Sequence, residues 1–149
     1  MPTRKYIAYG SNLNVEQMKY RCPGATVLTT GVIKNHQLLF KGSRSGNYLT
    51  IEPNKGYEVP VVIWEVTAQD EENLDRYEGW PNFYRKETVQ VETAGGIVDD
   101  AFAYIMNGHV SGAPTRRYLE TCLAGYTEFG FDEQVLYTAV IDSIGGAPY

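Results

Sequence analysis

The chain has 149 residues and a net charge of −5, with its basic residues scattered, so it offers nucleic acid no basic stripe and a nucleic-acid partner is not expected. Hydrophobic residues make up 43 % and charged residues 21 %, the balance of a single globular domain over 1–149 that buries about two thirds of its unfolded surface. The longest apolar run, residues 59–64 with Pro60 inside it, falls well short of the roughly 20 residues of a membrane span, so no membrane partner is expected either.

The chain enters a strand after a short polar lead, with no signal peptide in view, which points to the cytoplasm. Cys22 and Cys122 stand far apart and read as idle thiols of a reducing compartment. His36 and His109 have no partner at ligand spacing, so neither metal nor cofactor is expected. Twelve tyrosines exceed the usual share; they suit strands and half-buried surfaces, and some are expected to line a polar cavity.

The first strand, through Tyr6, Ile7, Ala8 and Tyr9, runs into Gly10-Ser11-Asn12-Leu13, and a helix opens near Asn14. A small-residue turn between strand and helix leaves several backbone N–H groups unpartnered. It serves either as a β-to-α turn needing Gly and Asn for its dihedrals or as a cradle for an oxyanion or carboxylate.

Cys22-Pro23-Gly24 then breaks the chain. Residues 25–30 and 35–41 read as strands joined across Gly31, and 42–47 as a mobile loop. Residues 48–51 make a short strand, 54–56 a turn, and 59–66 a strong strand with Pro60 at an edge position.

Thr67-Ala68-Gln69-Asp70 has the form of a capping box and opens a short helix. That helix is expected to end near Tyr77 or Glu78, with Gly79 as its left-handed cap. Residues 87–92 and 98–106 read as strands around an Ala94-Gly95-Gly96 turn. Pro114-Thr115 opens the longest helix, whose buried face carries Tyr118, Leu119, Cys122, Leu123 and Tyr126 at helical spacing. Gly130 ends it, Asp132 caps a last helix to about Val140, and a tail is expected from about 142. The fold class is α+β, a small curled, mostly antiparallel sheet or barrel with flanking helices.

A second segment carries the candidate chemistry: Leu74-Asp75-Arg76-Tyr77-Glu78-Gly79, followed by Trp80, Phe83, Tyr84 and Arg85. Glu78 lies four residues after Leu74, on the helix face that Leu74 turns to the core. It also lies at the helix C-terminus, where the dipole disfavours a negative charge. Both influences raise the pKa of its carboxyl and suit it to general acid/base work. The alternative is that Glu78 turns outward at a frayed end or pairs with Arg76 or Arg85.

The two segments together resemble the γ-glutamylcyclotransferase-like family, which has a YGSNL motif after its first strand and a glutamate in an L-D-x-x-E-G segment. Here these are Tyr9-Gly10-Ser11-Asn12-Leu13 and Leu74-Asp75-Arg76-Tyr77-Glu78-Gly79, with Tyr84-Arg85 at the family's Y-R spacing and Tyr104 and Tyr118 matching further tyrosines. Gly125-Tyr126-Thr127-Glu128-Phe129-Gly130-Phe131 resembles the family's closing helix and turn, while Thr115 stands where many relatives carry Ser.

The resemblance implies a small-molecule γ-glutamyl substrate whose α-amine attacks its own γ-carbonyl, releasing 5-oxoproline and an amine. It implies Glu78 as the catalytic acid/base, with Tyr9, Gly10, Ser11, Asn12, Leu13, Tyr84, Tyr104 and Tyr118 binding substrate; the hydroxyls of Tyr84, Tyr104 and Tyr118 are expected to orient its carboxylate or ammonium. The loop 42–47 is expected to contribute to the choice of leaving amine. Two further readings stay open: hydrolysis of a related small amide, and a non-catalytic ligand-binding protein using the same cavity.

Overall fold

The computed structural model describes residues 2–43 and 46–144. The elements are β1 (Arg4–Ala8), a 3-10 turn (Ser11–Leu13), α1 (Val15–Arg21), β2 (Thr26–Ser43), β3 (Gly46–Val66) and α2 (Ala68–Glu78). They continue with β4 (Tyr84–Thr88), β5 (Val91–Thr93), β6 (Gly96–Val98), β7 (Ala101–Met106), β8 (Val110–Ser111), α3 (Arg116–Phe129) and α4 (Gln134–Ile144). The strands form one sheet in the order β4-β7-β1-β3-β2-β5-β6, with β8 paired to β2. The β1–β7 pair is parallel and the other ladders are antiparallel.

Chain connectivity forces this sheet to curl. β4 and β5 lie five strand spacings apart in the order, about 24 Å in a flat sheet. Yet only residues 89 and 90 separate them, and three Cα steps reach at most about 11 Å. The two ends of the order must therefore approach one another, giving a curled mixed sheet, a half-barrel with its helices outside. The core covers both faces of the sheet: all six residues of β7 are buried, as are Ile7, Val61, Val62 and Ile63, and Leu74, Cys122, Tyr126 and Leu136 of the helices join the same cluster.

Several boundaries differ from the sequence reading. The strands expected at 25–30 and 35–41 are one strand, β2, which passes through Gly31. The loop expected at 42–47 is the tip of the β2–β3 ladder, since Gly42 pairs Asn47 and Ser43 pairs Gly46; Arg44 and Ser45 lie outside the described residues. The turn expected at 54–56 lies within β3 as a bulge, where Lys34 pairs Glu58 but His36 pairs Pro53. Asn35, at φ 55°, accepts at its Oδ1 from the Gly56 N–H at 3.2 Å and holds the bulge closed.

Pro60 was expected on an edge strand, but β3 lies inside the sheet. The missing donor is tolerated because the β1 register ends at Val62, leaving Pro60 paired to Val32 of β2. The expected strand 87–92 divides at the crossing between the two sheet ends, and 98–106 divides between β6 and β7. Residues 142–144, expected in the tail, belong to α4 and are anchored there. The Ser143 hydroxyl accepts from the Phe40 N–H at 2.8 Å and donates to the Ala139 carbonyl at 2.6 Å. The rest of the expected tail lies outside the described residues.

Candidate active site

The site forms where β1 leaves the sheet. β1 is flanked by β3 and β7, so Tyr9 and Gly10 emerge from the middle of the sheet rather than from an edge. The following residues wind into the 3-10 turn, in which the Leu13 N–H donates to the Gly10 carbonyl and the Asn14 N–H to the Ser11 carbonyl, each at 3.0 Å. Asn14 then caps α1 by accepting from the Gln17 N–H at 3.1 Å. α3 presses on this turn at Gly125, where a Cβ would lie 2.6 Å from the Leu13 Cβ, so only glycine permits the approach.

α2 supplies Glu78. Its start is fixed by the expected capping box: Thr67 Oγ1 accepts from the Asp70 N–H, and an Asp70 carboxylate oxygen accepts from the Thr67 N–H, both at 3.1 Å. Leu74 is fully buried, and Gly79 caps the end in the left-handed conformation at φ 68°. Glu78 is therefore the last helical residue, one turn beyond the Leu74 anchor.

Tyr9, Gly10, Ser11, Asn12, Glu78, Tyr84, Tyr104 and Tyr118 line one cleft, completed by Tyr6, Ile7 and Leu49. A second, roomier cleft adjoins it, lined by Tyr48, Tyr77 and Phe83 together with Ser11, Glu78, Tyr84 and Tyr118, which face both. Leu13 is not among these residues. It is fully buried beneath Gly125, and its N–H is spent on Gly10, so it supports the turn from below.

Glu78 is half-buried, its open side on the clefts. Among the described residues its carboxyl has no hydrogen bond or ion pair. Arg76 instead donates to Asn73 at 2.7 Å, and Arg85 donates to Glu87 at 2.5 Å and to the Met106 carbonyl at 3.0 Å. Desolvation pushes the carboxyl from an ordinary 4.5 up to about 8, with the Arg21 charge pulling weakly the other way.

Each of the tyrosine hydroxyls expected to bind substrate has a partner within the protein. Tyr9 donates to the Tyr104 carbonyl at 2.5 Å, Tyr84 to the Leu49 carbonyl at 2.9 Å and Tyr104 to Asp75 at 2.6 Å, while Tyr118 accepts from the Leu49 N–H at 3.1 Å. These bonds hold the walls of the cleft. Burial raises the pKa of each of these phenols, so they stay neutral.

Of the residues at the site that had not been singled out from sequence, Arg21 and Tyr6 contact the turn through hydrogen bonds. Arg21, in the last turn of α1, donates to Asn12 Oδ1 and lies 3.5 Å from Ser11 Oγ, with its guanidinium 3.5 Å from the centre of the Tyr77 ring. Tyr6 receives the Asn12 Nδ2–H at 2.8 Å. Tyr6 and Tyr9 both reach the cleft where β1 ends, although they lie three residues apart along the chain. The remaining candidates have other surroundings: burial pushes both cysteine thiols up to about 12, His109 stacks on Phe83 at 4.6 Å, and His36 bonds the Lys34 carbonyl.

Comparison with known proteins places this chain in a family. The family described as gamma-glutamyl cyclotransferase, AIG2-like, matches residues 6–122, a span that contains the turn, Arg21, Glu78 and every tyrosine that lines the two clefts. The chain belongs to that family. It is similar to gamma-glutamylcyclotransferases from Homo sapiens, 29 % identical over 133 residues, and from Bos taurus, 30 % identical over 133 residues; each alignment covers 84 % of this chain and 71 % of the relative. A solved structure called gamma-glutamyl cyclotransferase superposes with a TM-score of 0.83 at 26 % identity, covering 93 % of this chain and 86 % of that one. The curled sheet and flanking helices are thus the family's architecture. Among the described residues no helix is long and apolar enough to cross a membrane.

Proposed function

We propose that this protein cleaves a γ-glutamyl amide by intramolecular aminolysis, releasing 5-oxoproline and a free amine. The observation that carries the reading is a carboxyl of raised pKa, Glu78, without a protein partner among the described residues and sharing a cleft with Gly10, Ser11 and Asn12. The glutamyl head occupies the inner cleft and the leaving amine the outer one. Ser11, Glu78, Tyr84 and Tyr118 border both, so the scissile bond lies among them.

The substrate α-ammonium gives a proton to the Glu78 carboxylate. The freed amine attacks the γ-carbonyl carbon, forming the C–N bond of the ring and an oxyanion. N–H groups of the 10–12 turn face that oxygen and stabilise its charge as it develops. Protonated Glu78 passes its proton to the leaving nitrogen as the old C–N bond breaks, and then removes the surplus proton from the ring nitrogen. That proton leaves with the released amine, so atoms and charge balance. A carboxyl with a pKa near 8 suits both directions of transfer at neutral pH.

The test is a panel of γ-glutamyl amino acids and γ-glutamyl amines assayed for 5-oxoproline. Release from at least one compound is expected. Release of free glutamate instead would assign a hydrolase, and binding without turnover across the panel would assign a ligand-binding protein.

A further inference from the structure

Arg21, Asn12 and Tyr6 form a chain of hydrogen bonds whose direction is fixed by chemistry. A guanidinium only donates, so the Asn12 side-chain atom that meets Arg21 is the acceptor Oδ1. The other atom of that amide is therefore Nδ2, and it donates to the Tyr6 hydroxyl oxygen at 2.8 Å. A phenol has one proton, and it cannot lie on the line along which its oxygen already accepts. Tyr6 is 4 % exposed and lines the inner cleft with Glu78, and among the described residues its hydroxyl has no acceptor.

We propose that Tyr6 is a catalytic residue of the cyclotransferase reaction, its O–H donating to the oxyanion beside the N–H groups of the 10–12 turn, and that Arg21 and Asn12 are positioning residues that keep this proton turned into the cleft. The inference rests on the cyclotransferase reading. Both kinds of donor are anchored at one residue, since Asn12 contributes its backbone to the turn and its side chain to Tyr6. Burial raises the pKa of Tyr6, so it donates a hydrogen bond without losing the proton. The ring is held against Phe102 and Tyr104, with centroids at 5.6 and 5.8 Å, and these contacts survive removal of the hydroxyl.

The decisive variant is Asn12→Asp. It keeps size and shape and still accepts from Arg21. Its second oxygen now accepts where Nδ2 donated, so it draws the Tyr6 proton out of the cleft. Asn12→Asp and Tyr6→Phe should each lower kcat by about 100- to 1,000-fold, the effect of removing one oxyanion donor, with a KM change below about threefold. The double variant should be no slower than the worse single one. Arg21→Met should lower kcat with them, and Arg21→Lys, which restores a donor to Oδ1, should recover part of the loss. Circular dichroism and urea unfolding check that each variant is folded. A neutron structure of the wild type supplies a readout independent of turnover, with the Tyr6 hydroxyl deuteron expected to aim into the cleft. Near-normal kcat in folded Tyr6→Phe or Asn12→Asp, on a substrate the wild type turns over, overturns this inference alone, as does a deuteron aimed at Asn12. A wild type that releases no 5-oxoproline from any γ-glutamyl compound overturns the cyclotransferase reading and this role with it.

Discussion

Replacing Glu78 by Gln keeps the shape of the side chain and removes only its titration, so it separates the chemistry of this carboxyl from its structural cost. Raising its pKa from 4.5 to about 8 costs at most about 5 kcal/mol, at about 1.4 kcal/mol for each tenfold change in proton affinity. Water in the cleft lowers the realised figure. The sign follows from proton counting. Between pH 4.5 and 8 the folded chain holds a proton that the unfolded chain has lost, so wild-type stability falls as pH rises through this window and levels off above it. The Gln variant has no such slope. The two proteins should be equally stable near pH 4.5 and diverge upward, the variant being more stable at pH 8.5. Turnover should move the other way, falling about 100- to 10,000-fold on loss of the acid/base. Wild-type kcat/KM should rise through pH 7 to 8 as the carboxyl ionises. Urea unfolding at several pH values and an assay for 5-oxoproline measure both effects. Parallel stability curves for the two proteins would refute the raised pKa, and near-normal turnover of Glu78→Gln would refute its catalytic role.

Other expectations follow from single contacts. Gly125→Ala forces a Cβ against Leu13 and should cost about 1–3 kcal/mol in chemical denaturation, with reduced turnover because the displaced turn lies in the site. Tyr84→Phe removes the bond to the Leu49 carbonyl and should cost about 1 kcal/mol while turnover falls less than tenfold, since that hydroxyl holds a wall. Cys22 and Cys122 are buried with thiols pushed up to about 12, so an alkylating reagent at pH 7 should label them only after unfolding, as mass spectrometry would register.

The parts of the fold legible in the sequence were those set by local chemistry. The Thr67–Asp70 box, the Gly79 and Gly130 caps and the buried face of α3 at Cys122 and Tyr126 depend on a few neighbouring residues, and they form where the pattern put them. The division of 87–92 did not announce itself, because β4 and β5 part company only through pairing with β7 and β2 at opposite ends of the sheet. The same contrast holds in the site. Its spacing to Leu74 and its place at a helix end made Glu78 a candidate but left an outward-facing side chain open, and the resemblance of the whole segment to the family's decided between the two. Leu13 shared a motif with its neighbours, and only the packing of α3 on the turn separates its buried role from theirs. Arg21 and Tyr6 acquire their positions through Asn12, a tertiary contact that no local pattern encodes.

A carboxyl that is destabilised in place needs something to keep it there, because fraying the last turn of α2 would hand Glu78 to water and return its pKa to normal. The end of the helix is closed against that escape. The Trp80 N–H donates to the Asp75 carbonyl at 2.9 Å and the Gly79 N–H to the Arg76 carbonyl at 3.3 Å, while the Gly79 carbonyl accepts from Phe83 at 2.8 Å. Asp75 is tied in turn to Lys86 at 2.8 Å and to the Tyr104 hydroxyl, which fixes the last turn to β4 and β7. Unwinding it would break these bonds together and loosen Leu74, whose removal from a core costs about 2–5 kcal/mol. That penalty is comparable with the ceiling on the strain of ionising Glu78, so the charge is tolerated where it stands rather than relieved by local unfolding. The perturbed carboxyl is in this sense a property of the whole α2 terminus, held by a glycine cap, a leucine and a tyrosine–aspartate–lysine tie, and not of the glutamate alone.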